Sequence, residues 1–276
     1  MSSRPAHSST SYKIISSIVY SKFLKREVRV DFYFPSHYTK NCRILFLNDG
    51  QDGHALQLKF TLERLLHEKR IYPLIIVAIH ANENRLQEYG VASKADYLKR
   101  GKLARNHSKF IIKELKPYTE KFLQVEMHPQ HCCIGGFSLG GLSAFDIAWH
   151  NDEVFSKVGV FSGSFWWRKK DYKKGYTDKD RIMHEVIRKT KRKPDLKFWI
   201  QTGTLDEKAD RNNNGIIDSI EDSLDIIQEL IVKGYEESEV TYVEVENGMH
   251  HQQTWAEVMP DFLQWAFGKK KFEHMF

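Results

Sequence analysis

Ser138 stands at the centre of Gly136-Phe137-Ser138-Leu139-Gly140, after the apolar run Cys132-Cys133-Ile134-Gly135 and before Leu142, Phe145, Ile147, Ala148 and Trp149 at helical spacing. Strand, sharp turn and helix in that order would lift a hydroxyl above a sheet, with glycines letting strand and helix approach closely. A serine hydroxyl at neutral pH needs a base to take its proton and a carboxylate to hold that base in the right tautomer. Two later segments offer them: Gly203-Thr204-Leu205-Asp206-Glu207 and Asn247-Gly248-Met249-His250-His251, each following a strand pattern. The expected roles are Ser138 as nucleophile, His250 as base with His251 as competitor, and Asp206 as acid with Glu207 and Asp210 behind it. An oxyanion would need two amides: Leu139, directly after the nucleophile, and Gly50 or Gln51 from Asn48-Asp49-Gly50-Gln51. A plain glycine turn at 136–140 or at Asp49-Gly50, and a structural histidine, are the simpler alternatives.

A second signal is independent of the first. In the segment 210–221, Asp210, Asn212, Asn214, Asp218 and Glu221 place oxygens at positions 1, 3, 5, 9 and 12 of a loop, with Gly215 at 6 and Ile216 offering its carbonyl at 7. That is the EF-hand calcium pattern, and it predicts a structural Ca²⁺ bracing the segment beyond Asp206. A polar turn capping the following helix is the alternative.

These residues need a scaffold. Tyr12 to Tyr20 and Glu27 to Phe34 read as an antiparallel hairpin at a sheet edge. Arg43 to Leu47, Pro73 to Ile79, the strand before Ser138, Lys157 to Phe161, Leu196 to Gln201 and Val240 to Val245 read as further strands. Helical patterns fall at 58–66, 110–122 with Pro117 as a kink or early end, 139–149, 180–190, 220–232 and 254–267. Alternation of this kind predicts one α/β domain over 12–276, with a mostly parallel sheet of about eight strands and helices on both faces. Residues 1–11 read as a disordered tail. Phe165, Trp166 and Trp167, at a strand end, are expected to form an aromatic wall for the substrate, unless they are core. Arg85, on the polar segment Ala81 to Lys102, is expected to join them in binding substrate.

The 276 residues are 41% hydrophobic, ample for a large core. No apolar run is long enough to span a bilayer, and no signal-type core follows Arg4; the expectation is a soluble cytoplasmic chain with no membrane partner. Cys42, Cys132 and Cys133 form no disulfide framework. The net charge of +6 comes largely from Arg168–Lys174, Arg188–Lys193 and Lys269–Lys271. These runs read as solvated surface or as a rim attracting anionic substrates; nucleic acid is not expected, since no binding motif accompanies them.

Several stretches together carry a resemblance: Leu47-Asn48-Asp49-Gly50-Gln51-Asp52, Arg85 with Glu88-Tyr89, Glu114-Leu115-Lys116-Pro117-Tyr118, Gly135 to Gly141, Ser162-Gly163-Ser164-Phe165-Trp166-Trp167, and Gly248-Met249-His250 with Trp255 and Pro260. The chain resembles the esterase branch of the α/β-hydrolases that includes enterochelin esterases, S-formylglutathione hydrolases and carbohydrate esterases. The resemblance implies hydrolysis of a small carboxylic ester without an organic cofactor. It favours His250 over His251, by spacing to Trp255 and Pro260. A non-catalytic calcium-dependent binder on the same fold and an acyltransferase are the alternatives. Oligomeric state is not readable from the sequence.

Overall fold

The computed structural model describes residues 11–270. Eight strands form one sheet: β1 (Tyr12–Ser21), β2 (Arg26–Pro35), β3 (Arg43–Asn48), β4 (Leu74–Ile79), β5 (Cys132–Phe137), β6 (Lys157–Phe161), β7 (Lys197–Leu205) and β8 (Val240–Met249). Their order is β1-β2-β4-β3-β5-β6-β7-β8. β2 runs antiparallel to both neighbours; every other pair is parallel. This is the α/β-hydrolase architecture with an antiparallel edge. Most of the expected 1–11 tail lies outside the described residues, but the Ser11 carbonyl already accepts the Ser36 N–H, which starts the β1–β2 pairing there.

Eight helices are described: α1 (Leu58–His67), the single turn α2 (Arg85–Glu88), α3 (Ala104–Lys109), α4 (Lys116–Leu123), α5 (Leu139–His150), α6 (Ile182–Lys189), α7 (Asp218–Lys233) and α8 (Gln252–Phe267). The alternation of β3 and β4 splits the core between the two sheet faces. Ile44, Phe46, Ile75 and Val77 pack with Phe110, Phe145 and Ile226 on the face carrying α4 to α7. Leu45, Leu47, Leu74 and Ile76 pack with Leu62 and Phe262 on the face carrying α1 and α8. Pro117 does not end its helix. A π-helical stretch, Phe110–Leu115, joins α3 to α4 just before it, which re-routes the carbonyls that proline has no N–H to satisfy.

The strand order reverses about β3: the chain steps from β3 to β4 on one side, then to β5 on the other. Ligands of open parallel sheets bind at such a switch point, outside the carboxyl ends of the strands. Here those ends carry Asn48-Asp49-Gly50 and Ser138.

Candidate active site

Ser138 follows β5 and caps α5 with φ 55° and ψ −122°, a backbone conformation that a residue with a side chain rarely adopts. The strain is held by tight packing. A Cβ on Gly136 would lie 2.4 Å from the Gly140 carbonyl oxygen, so strand and helix approach closer than any other residue allows. The Ser138 N–H donates to Phe161 O at 2.8 Å, and its half-buried hydroxyl lies 3.4 Å from Ser164 Oγ. As the first residue of a helix, Leu139 has an amide with no intrahelical acceptor, free to serve an anion at the turn.

The loop after β3 is pressed against this turn. Asn48 Nδ2 donates to Gly140 O at 2.9 Å, and the buried Asp49, in the left-handed region at φ 62°, accepts Arg85 Nε at 2.7 Å and Nη2 at 2.9 Å. Arg85 Nη2 also reaches Phe137 O at 3.3 Å. The structure thus gives Arg85 a task other than substrate contact: a bidentate clamp between the β3 loop and the end of β5. A Cβ on Gly50 would lie 2.4 Å from the Ala78 carbonyl carbon, which is why glycine must stand there. The Gln51 side chain bridges the Ala81 N–H and Asp49.

Asp206 and His250 leave neighbouring strands. The β7–β8 register shifts between Gly203 and Leu205, and a Cβ on Gly203 would lie 2.3 Å from Gly248 O, so the segments leading to Asp206 and His250 are packed backbone to backbone. Asp206 Oδ1 accepts Ser162 Oγ at 3.1 Å; Asp206 Oδ2 is buried with no hydrogen-bond partner among the described residues. The His250 ring packs edge-on to Trp255, with centroids 5.4 Å apart. Burial pushes the Asp206 carboxyl up from the usual range, opposed by the Ser162 hydrogen bond and the His250 charge. Burial and then the Arg85 charge push His250 below its ordinary value, opposed by Asp206. No hydrogen bond joins Ser138 to His250, or His250 to Asp206, among the described residues; such bonds often tighten only around a substrate.

The competitors have other tasks. His251 Nδ1 accepts the Gln253 N–H at 3.2 Å and caps α8. Glu207 lies toward the Ser219 backbone, beside Asp218 and Asp222, at the start of α7. The aromatic wall is mostly core: Phe165 is fully buried and edge-on to Phe145 at 5.6 Å, and fully buried Trp167 wedges against Gly90 and Gly101 of the 81–102 segment. Large apolar side chains gain more from full burial than from lining an open cleft, and sequence alone does not say which a Phe-Trp-Trp run achieves. Trp166 alone stays half-buried, beside the Arg100 guanidinium at 5.1 Å. Sequence reading missed Ser162 as the partner of Asp206 and Trp255 as the partner of Ser162; they lie 44 and 49 positions from Asp206, and no local pattern joins them.

Among the described residues, no three His, Cys, Asp or Glu side chains converge as a metal site. The 210–221 loop nevertheless winds on itself: Asp210 accepts the Asn214 and Gly215 amides, and Glu221 accepts the side-chain amides of Asn212 and Asn214. Arg211 intrudes on its acids, lying 3.1 Å from Asp218 and 3.6 Å from Glu221. No helix of the described residues is long and apolar enough to cross a membrane.

A serine held at positive φ in a strand-to-helix turn, at the carboxyl end of a parallel sheet whose strand order reverses beside it, is an arrangement of the α/β-hydrolase fold. The model of the family described as "Putative esterase" matches residues 21–266, and the chain belongs to that family, a carboxylic ester hydrolase. An uncharacterised relative, YbbA of Bacillus subtilis (strain 168), is 23% identical over 251 residues, 88% of this chain and 94% of its own. The enterobactin esterase FES of Shigella flexneri, solved in the presence of enterobactin, is similar in fold with TM-score 0.73 at 18% identity. That match covers 92% of this chain but 58% of the Shigella chain, so this chain spans little more than half of it. A ferulic acid esterase (TM-score 0.71, 15% identity, 94% of this chain and 98% of that one) and the BES protein of Bacillus cereus (0.69, 17%, 97% and 98%) share the fold over nearly their whole lengths.

Proposed function

We propose that this chain hydrolyses small carboxylic esters through Ser138, His250 and Asp206. The observation that carries the reading is the backbone of Ser138, held at positive φ between the end of β5 and the start of α5, with the loop after β3 bonded to Gly140 beside it. Ser138 Oγ attacks the ester carbonyl carbon as its proton passes to the His250 imidazole, and Asp206 steadies the resulting imidazolium. The carbonyl oxygen takes up the negative charge and accepts from the Leu139 amide and from that of Gly50 or Gln51. Collapse of the tetrahedral intermediate breaks the bond to the alcohol, which leaves with the proton from His250. Water then repeats the sequence on the acyl-enzyme and releases the acid. The half-exposed Trp166 with Arg100 offers one flat, cationic-rimmed surface for an acyl or aryl group.

A fluorophosphonate probe labels only an activated hydroxyl, so it should modify wild type at Ser138 and leave Ser138→Ala untouched. The same variant should lose about 10³-fold or more in turnover of p-nitrophenyl acetate. Retained turnover would discard the mechanism. The names of the neighbours place siderophore and feruloyl esters on the substrate panel alongside acetyl esters and thioesters.

We propose separately that the 210–221 loop holds a structural Ca²⁺, with Asp210, Asn212, Asn214, Asp218 and Glu221 as side-chain donors and the Ile216 carbonyl completing the set. The curl of the loop about Asp210, and Glu221 drawn back over it, support the reading; Arg211 is the cation that a bound ion would displace.

A further inference from the structure

The indole of Trp255 and the hydroxyl of Ser162 form a line of donors ending on Asp206. Trp255 Nε1 donates to Ser162 Oγ at 2.9 Å, and Ser162 Oγ donates in turn to Asp206 Oδ1 at 3.1 Å. Every member is fixed from elsewhere. Ser162 is buried in the left-handed region at φ 47°, with its own N–H on Gln201 O at 2.8 Å. Trp255 is stacked on Phe137, the residue before Ser138, with centroids 4.9 Å apart, and its ring also packs against His250. The hydroxyl has one proton to give, so accepting from the indole orients it toward the carboxylate.

Resting on the reading of Asp206 as the catalytic acid, we propose that Ser162 is a positioning residue and Trp255 its support. Together they hold one carboxylate oxygen so that the other, buried and unpartnered Oδ2, is presented to the imidazole of His250. A residue forced into positive φ for this purpose follows the general finding that strained backbone gathers at working sites. The line crosses from α8 to the end of β6 and on to the end of β7, tying together segments 93 and 44 residues apart in the chain.

The test uses Ser162→Gly, which deletes the hydroxyl while suiting the positive φ, with Trp255→Phe, the double variant and Asp206→Asn beside it. Ser162→Gly should lower kcat roughly 10- to 100-fold with KM within about twofold. Removing its hydrogen bond frees Asp206 to protonate more readily, so the acid limb of kcat/KM should move to higher pH. Trp255→Phe should change both in the same direction by less, and the double variant should be no worse than Ser162→Gly, since the indole acts through the hydroxyl. A Ser162→Gly enzyme with wild-type kcat and an unmoved acid limb overturns the proposal, as does a double variant whose losses multiply. If Ser162→Gly does not fold, a Trp255→Phe enzyme with wild-type kcat and pH profile overturns it equally. Asp206→Asn separates the two readings. A loss of about 10⁴-fold there beside an unaffected Ser162→Gly sinks the relay and leaves the triad; a fully active Asp206→Asn sinks both.

Discussion

Two carboxylates one position apart, Asp206 and Glu207, are both raised by burial but have different neighbours. Asp206 faces Ser162 and the charge of His250, whereas Glu207 turns to α7, where burial and the nearby Asp218 and Asp222 raise its acid value to about 7. That value stands above the ordinary 4.5, so folding favours the protonated form. The stability Glu207 contributes is complete below about 4.5 and is lost as pH rises through 7. Glu207→Gln, which keeps the size of the side chain and removes its charge, should therefore match wild type near pH 4.5 and melt roughly 2–4 °C higher at pH 8. A melting difference that is flat across this window would refute the assignment. The Arg85 clamp makes a second prediction at this scale. Arg85→Lys keeps the charge but loses the two-pronged grip on Asp49, so the loop after β3, which carries the proposed oxyanion amide, is held less firmly against the end of β5. We expect kcat to fall about 10-fold or more with KM little changed; equal kcat in the two enzymes would show that the clamp is dispensable.

At the scale of elements, the sequence was most legible where a pattern is local. The elbow could be read because glycine spacing, an apolar strand and a helical stripe are contiguous, and the strand ends that carry Asp206 and His250 followed from their place in the alternation. What stayed hidden depends on contacts between distant segments. Trp167 is core because Gly90 and Gly101 leave room for it, and Arg85 is a clamp because Asp49, 36 positions earlier, lies beneath it. The helix across Pro117 survives through a π turn that no propensity signals. The 210–221 loop belongs to this scale too. Its pattern is local and readable, but Arg211 at its second position is set among Asp178, Asp218, Glu221 and Asp222 by the fold. Calcium must displace that guanidinium. If it does, saturating Ca²⁺ at about 100 times its dissociation constant should add about 2.7 kcal/mol, visible as a rise of several degrees in melting temperature that EDTA reverses. Asp210→Ala should abolish the rise. An unchanged melting curve with and without chelator would return the segment to the status of a capped turn.

For the whole molecule, the excess of positive charge reads as solvated surface or as a rim that attracts anionic substrates, and the structure shows where that charge goes. Lys169 pairs with Glu185 at 3.0 Å, Lys170 with Asp180 at 3.6 Å, Arg192 with Asp152 at 2.6 Å and Lys193 with Glu239 at 2.7 Å; Arg188 and Lys189 are bound to Glu229 and Glu185. Arg168 is buried over the Tyr172 ring at 3.8 Å. Much of the basic sequence around α6 is thus spent on fastening that region to the rest of the domain. Each exposed pair adds little stability, but its field at a distance is that of a dipole and not of a net charge. Long-range steering of an anionic substrate needs an unbalanced field, and screening lengths near 10 Å at 0.1 M salt would suppress one. The expectation is that kcat/KM for an anionic ester and for a neutral ester of equal size respond alike to salt between about 10 and 200 mM, within roughly twofold. A steep fall for the anionic ester alone would mean that the lysines with no ion-pair partner among the described residues, Lys173, Lys174 and Lys191 among them, act on substrate approach despite the pairing around them.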